Sequence, residues 1–113
     1  MGINFQHNDL AAGRWFELGL DEQMGNIGSE VGRSMNWKRK GNLEQSANAL
    51  DRGLELFDLT LADKHRTGPQ LKEIARAREV VCDFLAGDNE YNSDEKFLND
   101  YFMQFALAAR AHR

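Results

Sequence analysis

Leu43, Ala47, Leu50, Leu54, Phe57 and Leu61 follow one another at spacings that alternate between four and three residues. Only a backbone with about 3.6 residues per turn brings such positions onto one side, so the stretch reads as an amphipathic helix with one apolar seam. The same period runs through the rest of the chain. Phe16, Leu20, Met24, Ile27, Val31 and Met35 form a second stripe, and Leu71, Ile74, Ala75, Val81, Cys82 and Leu85 a third. Leu98, Tyr101, Phe102, Phe105 and Ala109 form a fourth. One proline, Pro69, and no useful run of alternating apolar and polar residues argue against a β-sheet domain.

Local signals bound the four helices. The first is expected over about residues 9–40, opening at Asp9 or Arg14 and stopping at Gly41. Arg33, Lys38, Arg39 and Lys40 cluster towards its end, where cations offset the partial negative charge of unpaired carbonyls, a role preferred here to ligand binding. The second, residues 43–65, opens at Asn42 as N-cap, with Gln45 as the returning half of a capping box. Thr67 and Gly68 precede Pro69, which suits the first position of a helix over 69–86, and Gly87 suits its C′ position. Ser93 is the expected cap of the fourth helix, 94–110, with Asp94 and Glu95 in its first turn. Residues 1–8 form a tail that offers Phe5 for docking. Connections this short make consecutive helices antiparallel neighbours. The expected architecture is therefore all-α, one domain over 1–113, folded as an antiparallel up-down-up-down four-helix bundle.

Gly25, Gly28 and Gly32 lie inside the first helix, where each glycine costs nearly ~1 kcal/mol relative to alanine. Close approach of a neighbouring helix along a small-residue strip is the expected compensation, so leucine at Gly28 should overpack the bundle.

Composition removes several classes. The 18 acidic against 14 basic residues give a net charge of −4, which offers nucleic acid no broad attraction. No run approaches the roughly 18 apolar residues of a membrane span, and the first residues have neither a basic nor an apolar leader region. Gly2 does not read as a myristoylation site, because Gln6 stands where that motif wants Ser or Thr. The lone Cys82 makes no internal disulfide and reads as a small core residue, which fits a reducing compartment and a cytoplasmic protein.

No constellation for catalysis is evident. A bundle di-metal site needs inward Glu and Glu-x-x-His pairs, whereas His7, His65 and His112 stand in the tail, at a helix end and near the terminus. No metal or cofactor is expected, and the same placement removes a nucleophile with its base. Two sets of residues stand out instead. Arg78 falls among Ile74, Val81 and Leu85 on the apolar face of its helix, so it needs an internal partner. Antiparallel register makes Asp58 that partner, with Glu55 nearby, and sets Glu30 level with Arg52 as a second pair. Glu79 and Asp83 are outer members of this polar layer, which either fixes helix register or floors a pocket for an anionic or polar ligand. The second set is Leu56, Leu59, Val80, Phe84, Met103 and Leu107, all off their core stripes and able to join into an association surface. Trp15 and Trp37, at the two ends of the first helix, read as rim packing rather than a base-stacking platform.

The strings at 26–31, 49–60 and 71–79, NIGSEV, ALDRGLELFDLT and LKEIARARE, resemble those of small uncharacterised bacterial four-helix-bundle proteins. More loosely the chain is similar to HEPN-type domains, a resemblance that would imply a bundle associated with nucleotides. It departs from the HEPN nuclease pattern, an Arg followed after four to six residues by His. Asp58, Leu59 and Thr60 hold those positions before His65, and Phe105, Ala106 and Leu107 before His112. No nuclease residue carries over. The expected function is non-catalytic association, as a homodimer or with another protein and without a membrane. The alternative is a small-ligand or nucleotide-associated bundle with its site at the polar layer.

Overall fold

The computed structural model describes residues 13–111, and among these every regular element is helical. Four long helices, α1 (Leu20–Arg39), α2 (Leu43–Leu61), α3 (Gly68–Leu85) and α4 (Glu95–Ala111), follow a short helical segment at 13–15. The chain is thus all-α, with five helical elements among the described residues and no strand there.

The first helix differs from the expectation of one rod from residue 9 to residue 40. The chain leaves the helix at 16–19, where Glu17 and Leu18 make turn bonds to Arg14 and Trp15, and Gly19 stands extended as the N-cap of α1. The break serves Trp15, which is buried. Its indole N–H donates to the Thr60 hydroxyl at 3.0 Å, and its carbonyl accepts from the Gln23 side chain at 3.0 Å. Phe16 consequently lies outside α1, though it still packs against the core. The expected start at Asp9 and the Phe5 contact lie outside the described residues.

The buried face of α2 is turned relative to the seam read from its leucines. Ser46, Ala49, Leu50, Gly53, Leu56, Phe57, Leu59 and Thr60 are buried, while Leu43 is 66% exposed and Ala47 faces solvent. Small residues explain the turn, because they let α1 come close. The Ser34 hydroxyl donates to the Ser46 carbonyl at 2.9 Å, the Ser46 hydroxyl donates to the Ser34 carbonyl at 2.8 Å, and Gly53 sits against Glu30. The Asn42 cap is present, its side chain accepting from the Gln45 N–H at 3.1 Å, and α2 ends at Leu61 rather than at residue 65. At the start of α3 Thr67 and Gln70 form a reciprocal capping box, with Pro69 in the first turn.

Helix α1 is the centre of the packing. It lies against α2 and α4 over most of its length and touches α3 only slightly, while α3 rests on α2. Gln23, Glu30 and Ser34 meet Asp63, Arg52 and Ser46 in turn, so α1 and α2 run in opposite directions. Gly25, Gly28 and Arg39 likewise meet Ala106, Phe102 and Glu95 on α4. A Cβ added at Gly28 would stand 2.5 Å from the Phe102 Cβ, and one at Gly25 would stand 3.4 Å from the Ala106 Cα. The missing Cβ therefore admits α4 at Gly28, while at Gly25 a methyl group would just touch Ala106. Gly32 faces open space and has no such reason. Met24, Ile27, Val31, Phe57, Ile74, Val81 and Leu98 fill the centre, with the Phe57 and Phe102 rings 6.3 Å apart.

Candidate functional site

Of the expected polar layer, both ion pairs form, but they do not make one layer. The Arg78 Nε donates to Asp58 at 3.0 Å, and the Arg52 Nε lies 3.4 Å from Glu30, which also meets Arg33 at 3.1 Å. Arg52 and Asp58 are six residues apart on α2, about 240° around the helix, so the pairs sit on opposite flanks. Nor is the guanidinium internal: the Arg78 and Asp58 side chains keep 34% and 48% of their exposure. A long stem lets such a side chain keep its charge at the water's edge and so avoid desolvation. Glu55 is half-buried on α2, and exposed Glu79 accepts a hydrogen bond from the Tyr91 hydroxyl at 3.1 Å. Cys82 is half-buried rather than internal; burial raises its thiol above the ordinary value, against the opposing pull of Arg78.

The expected association surface is corrected as well. Leu56 and Leu59 are buried in the core at 7% and 4% exposure, because the buried face of α2 is turned towards them. Val80 and Phe84 are half-buried against that core. Met103 and Leu107 do face solvent, at 50% and 54%, on the side of α4 turned away from its buried residues. The six residues do not join into one patch.

Sequence reasoning missed the feature that the helix packing creates. Helices α3 and α4 are consecutive in the chain, yet they make the slightest contact of any such pair. Between them opens a groove of about 540 Å³. Buried Ala77, Leu98 and Phe102 line its depth, half-buried Val80 and Tyr101 its sides, and exposed Tyr91 and Phe97 its lip. Glu73, Arg76 and Asp94 supply charge at the rim.

The connector after α3 builds one lip. The Asp83 carboxylate accepts the backbone N–H groups of Glu90 and Tyr91 at 2.7 and 2.9 Å, which ties the loop back onto α3. Asn89 and Asn92 take left-handed backbone conformations, φ 54° and 56°, a region that asparagine tolerates better than most residues. The Asn89 side chain also bonds Ser93 in both directions, so the cap of α4 is Asp94, which accepts from the Phe97 N–H at 2.8 Å, and not Ser93 as the sequence suggests. So held, the Tyr91 ring lies under the Arg76 guanidinium at 5.2 Å.

Both groove tyrosines are hydrogen-bond donors at neutral pH. Burial, reinforced by the Glu73 carboxylate 3.1 Å away, pushes the Tyr101 phenol above its usual range, and the hydrogen bond to Glu79 raises Tyr91. The groove thus presents an apolar floor with hydroxyl and charged groups at its rim.

A second polar cluster lies at the other end of α1. The Gln23 amide donates to Asp63 at 2.8 Å, and Asp63 also accepts from the His65 backbone N–H at 2.9 Å and meets the His65 ring at 2.8 Å. The buried Arg66 guanidinium stands 3.7 Å away. Burial alone would raise the Asp63 carboxyl, but the His65 backbone N–H, the Gln23 amide, the His65 ring and Arg66 together hold it below its usual value of 3.8. A more polar cleft of about 480 Å³ opens near Trp15, Leu18, Glu30, Arg33, Leu56 and Leu59.

Among the described residues no group of three or more His, Cys, Asp or Glu side chains could hold a metal ion, and no helix is long and apolar enough to cross a membrane. Comparison with protein-family models, with curated proteins and with solved structures finds no match for this chain.

Proposed function

We propose that this chain is a non-catalytic association module: an antiparallel up-down-up-down bundle of four long helices, opened along its α3/α4 edge to receive a helix of another polypeptide. One observation carries the reading, the apolar groove left where two consecutive helices fail to close on each other. A helix laid there would bury Phe97 and Tyr91, now 55% and 46% exposed, and would take the place of the missing neighbour. Homodimerisation through the six outward residues has lost its surface, since Leu56 and Leu59 belong to the core. A polar ligand site at Asp58 and Arg78 is not favoured either, because neither residue lines either of the two clefts described above. The work is placed in a reducing, cytoplasmic compartment, which suits the free Cys82 thiol.

The test is fluorescence anisotropy with a labelled neutral amphipathic helix of Leu, Ala and Gln. Saturable binding that Phe97→Glu abolishes and Met103→Glu leaves unchanged supports the proposal, provided both variants keep the wild-type melting curve. No binding, or binding that Met103→Glu removes instead, overturns it.

A further inference from the structure

The groove is apolar within, but the chain around it is one-sided in charge. From residue 79 to residue 95 the sequence carries Glu79, Asp83, Asp88, Glu90, Asp94 and Glu95 and no lysine or arginine. This stretch comprises the second half of α3 and the whole connector; its Val80, Tyr91, Asn92, Ser93 and Asp94 line the groove, and its other carboxylates lie beside them in the chain. Glu73 adds a carboxylate further along the same rim. Cations are near as well: Arg76 lies over the Tyr91 ring, Arg39 of α1 pairs with Glu95, Arg78 with Asp58 and Lys96 with Asp100, yet from residue 72 to residue 100 eight carboxylates stand against the four cations Lys72, Arg76, Arg78 and Lys96.

We infer that the occupant of the groove is a basic amphipathic helix, whose apolar stripe lies on Val80, Phe97 and Tyr101 and whose flanking lysines or arginines meet Glu73, Glu79 and the acidic connector. This deepens the association reading above and rests on it. Charge complementarity selects the partner: apolar contact gives the groove affinity for any amphipathic helix, and the carboxylate rim discriminates among them by attraction and by repulsion. A second copy of this chain, at a net charge of −4, approaches such a rim against the field.

The experiment compares two labelled peptides with the same Leu stripe, one flanked by Lys and Arg and one by Glu, together with the neutral peptide. The basic peptide is expected to bind most tightly and the acidic one least. Raising the salt from about 50 to about 300 mM should weaken the basic peptide several-fold and leave the neutral one nearly unchanged. In Glu73→Gln with Glu79→Gln the amide oxygens still accept from the Tyr101 and Tyr91 hydroxyls, so the fold is kept while two charges go. Roughly three- to tenfold weaker binding of the basic peptide alone is expected there.

The failures are separable. Equal or tighter binding of the acidic peptide, or basic binding that is insensitive to both salt and the double substitution, overturns the basic partner and leaves the groove reading standing. Phe97-dependent self-association with no peptide bound makes a second copy the occupant and overturns it too. If no peptide binds and the chain stays monomeric, the groove reading falls and the inference falls with it.

Discussion

Replacing Gly28 with alanine adds one methyl group where α1 and α4 are closest. The new Cβ would stand 2.5 Å from the Phe102 Cβ and 2.9 Å from its Cγ. The Phe102 Cβ is fixed by its own backbone, so no rotamer change relieves the contact and the two helices must separate. Overpacking of this kind costs about 1–3 kcal/mol, and a contact this short belongs in the upper half of that range. Against it stands the helix propensity of alanine, worth about 1 kcal/mol over glycine. The net expectation is a loss of about 1–2 kcal/mol, read as a lower urea midpoint at unchanged m-value. The neighbouring glycines calibrate the result. At Gly25 the new methyl meets the Ala106 Cα at 3.4 Å, an ordinary contact, so propensity and packing nearly cancel. At Gly32 it meets nothing, so alanine should stabilise the protein by up to about 1 kcal/mol. The order of stability is then Gly32→Ala, wild type and Gly25→Ala together, and Gly28→Ala last. A Gly28→Ala protein as stable as wild type would refute the close approach of α1 to α4, and a destabilised Gly32→Ala would refute the open space at Gly32.

Three further outcomes follow from the same geometry. Asp63 has a lowered folded pKa, so its contribution to stability is complete above 3.8 and is lost as pH falls through the lower folded value. Urea titrations between about pH 2 and about pH 5 should show a decline that Asp63→Asn flattens while lowering stability near neutrality. Ser34→Ala or Ser46→Ala should each cost about 1–3 kcal/mol by chemical denaturation, and the double variant less than their sum, because each hydroxyl donates to the other residue's carbonyl across one contact. Exchanging charges with Asp58→Arg and Arg78→Asp should change stability by less than about 1 kcal/mol, since the pair is half exposed, and added salt should shrink the effect further.

The four long helices and most of their ends were legible in the sequence because caps and glycines act locally, but the separate helical segment at 13–15 was not. Asn42 caps its helix and Pro69 stands in a first turn as their positions suggest, whereas the capping box forms at Thr67 and Gln70 and not at Asn42 and Gln45. What escaped was tertiary in origin. The turned face of α2 depends on Ser46, Ala49 and Gly53 packing against α1, and a leucine pattern cannot register an attraction that works through small residues. The break at 16–19 depends on Trp15 reaching Thr60, a partner 45 residues away in sequence. The pairing of Arg78 with Asp58 was readable from register, but its exposure was not, because a face angle places the Cα and not the end of a long side chain. The groove was invisible for a similar reason. The α4 residues that line it, Phe97, Leu98, Tyr101 and Phe102, read as an ordinary amphipathic face, and only the slight contact between α3 and α4 shows that the face is incompletely covered.

Chemical-shift mapping of the ¹⁵N-labelled chain during titration with the basic peptide tests the central claim most directly. The account predicts that saturating shifts gather at Ala77, Val80, Tyr91, Phe97 and Tyr101 along the α3/α4 edge. Shifts that gather instead at Trp15, Leu18 and Arg33, or on the Met103 and Leu107 side of α4, would contradict it.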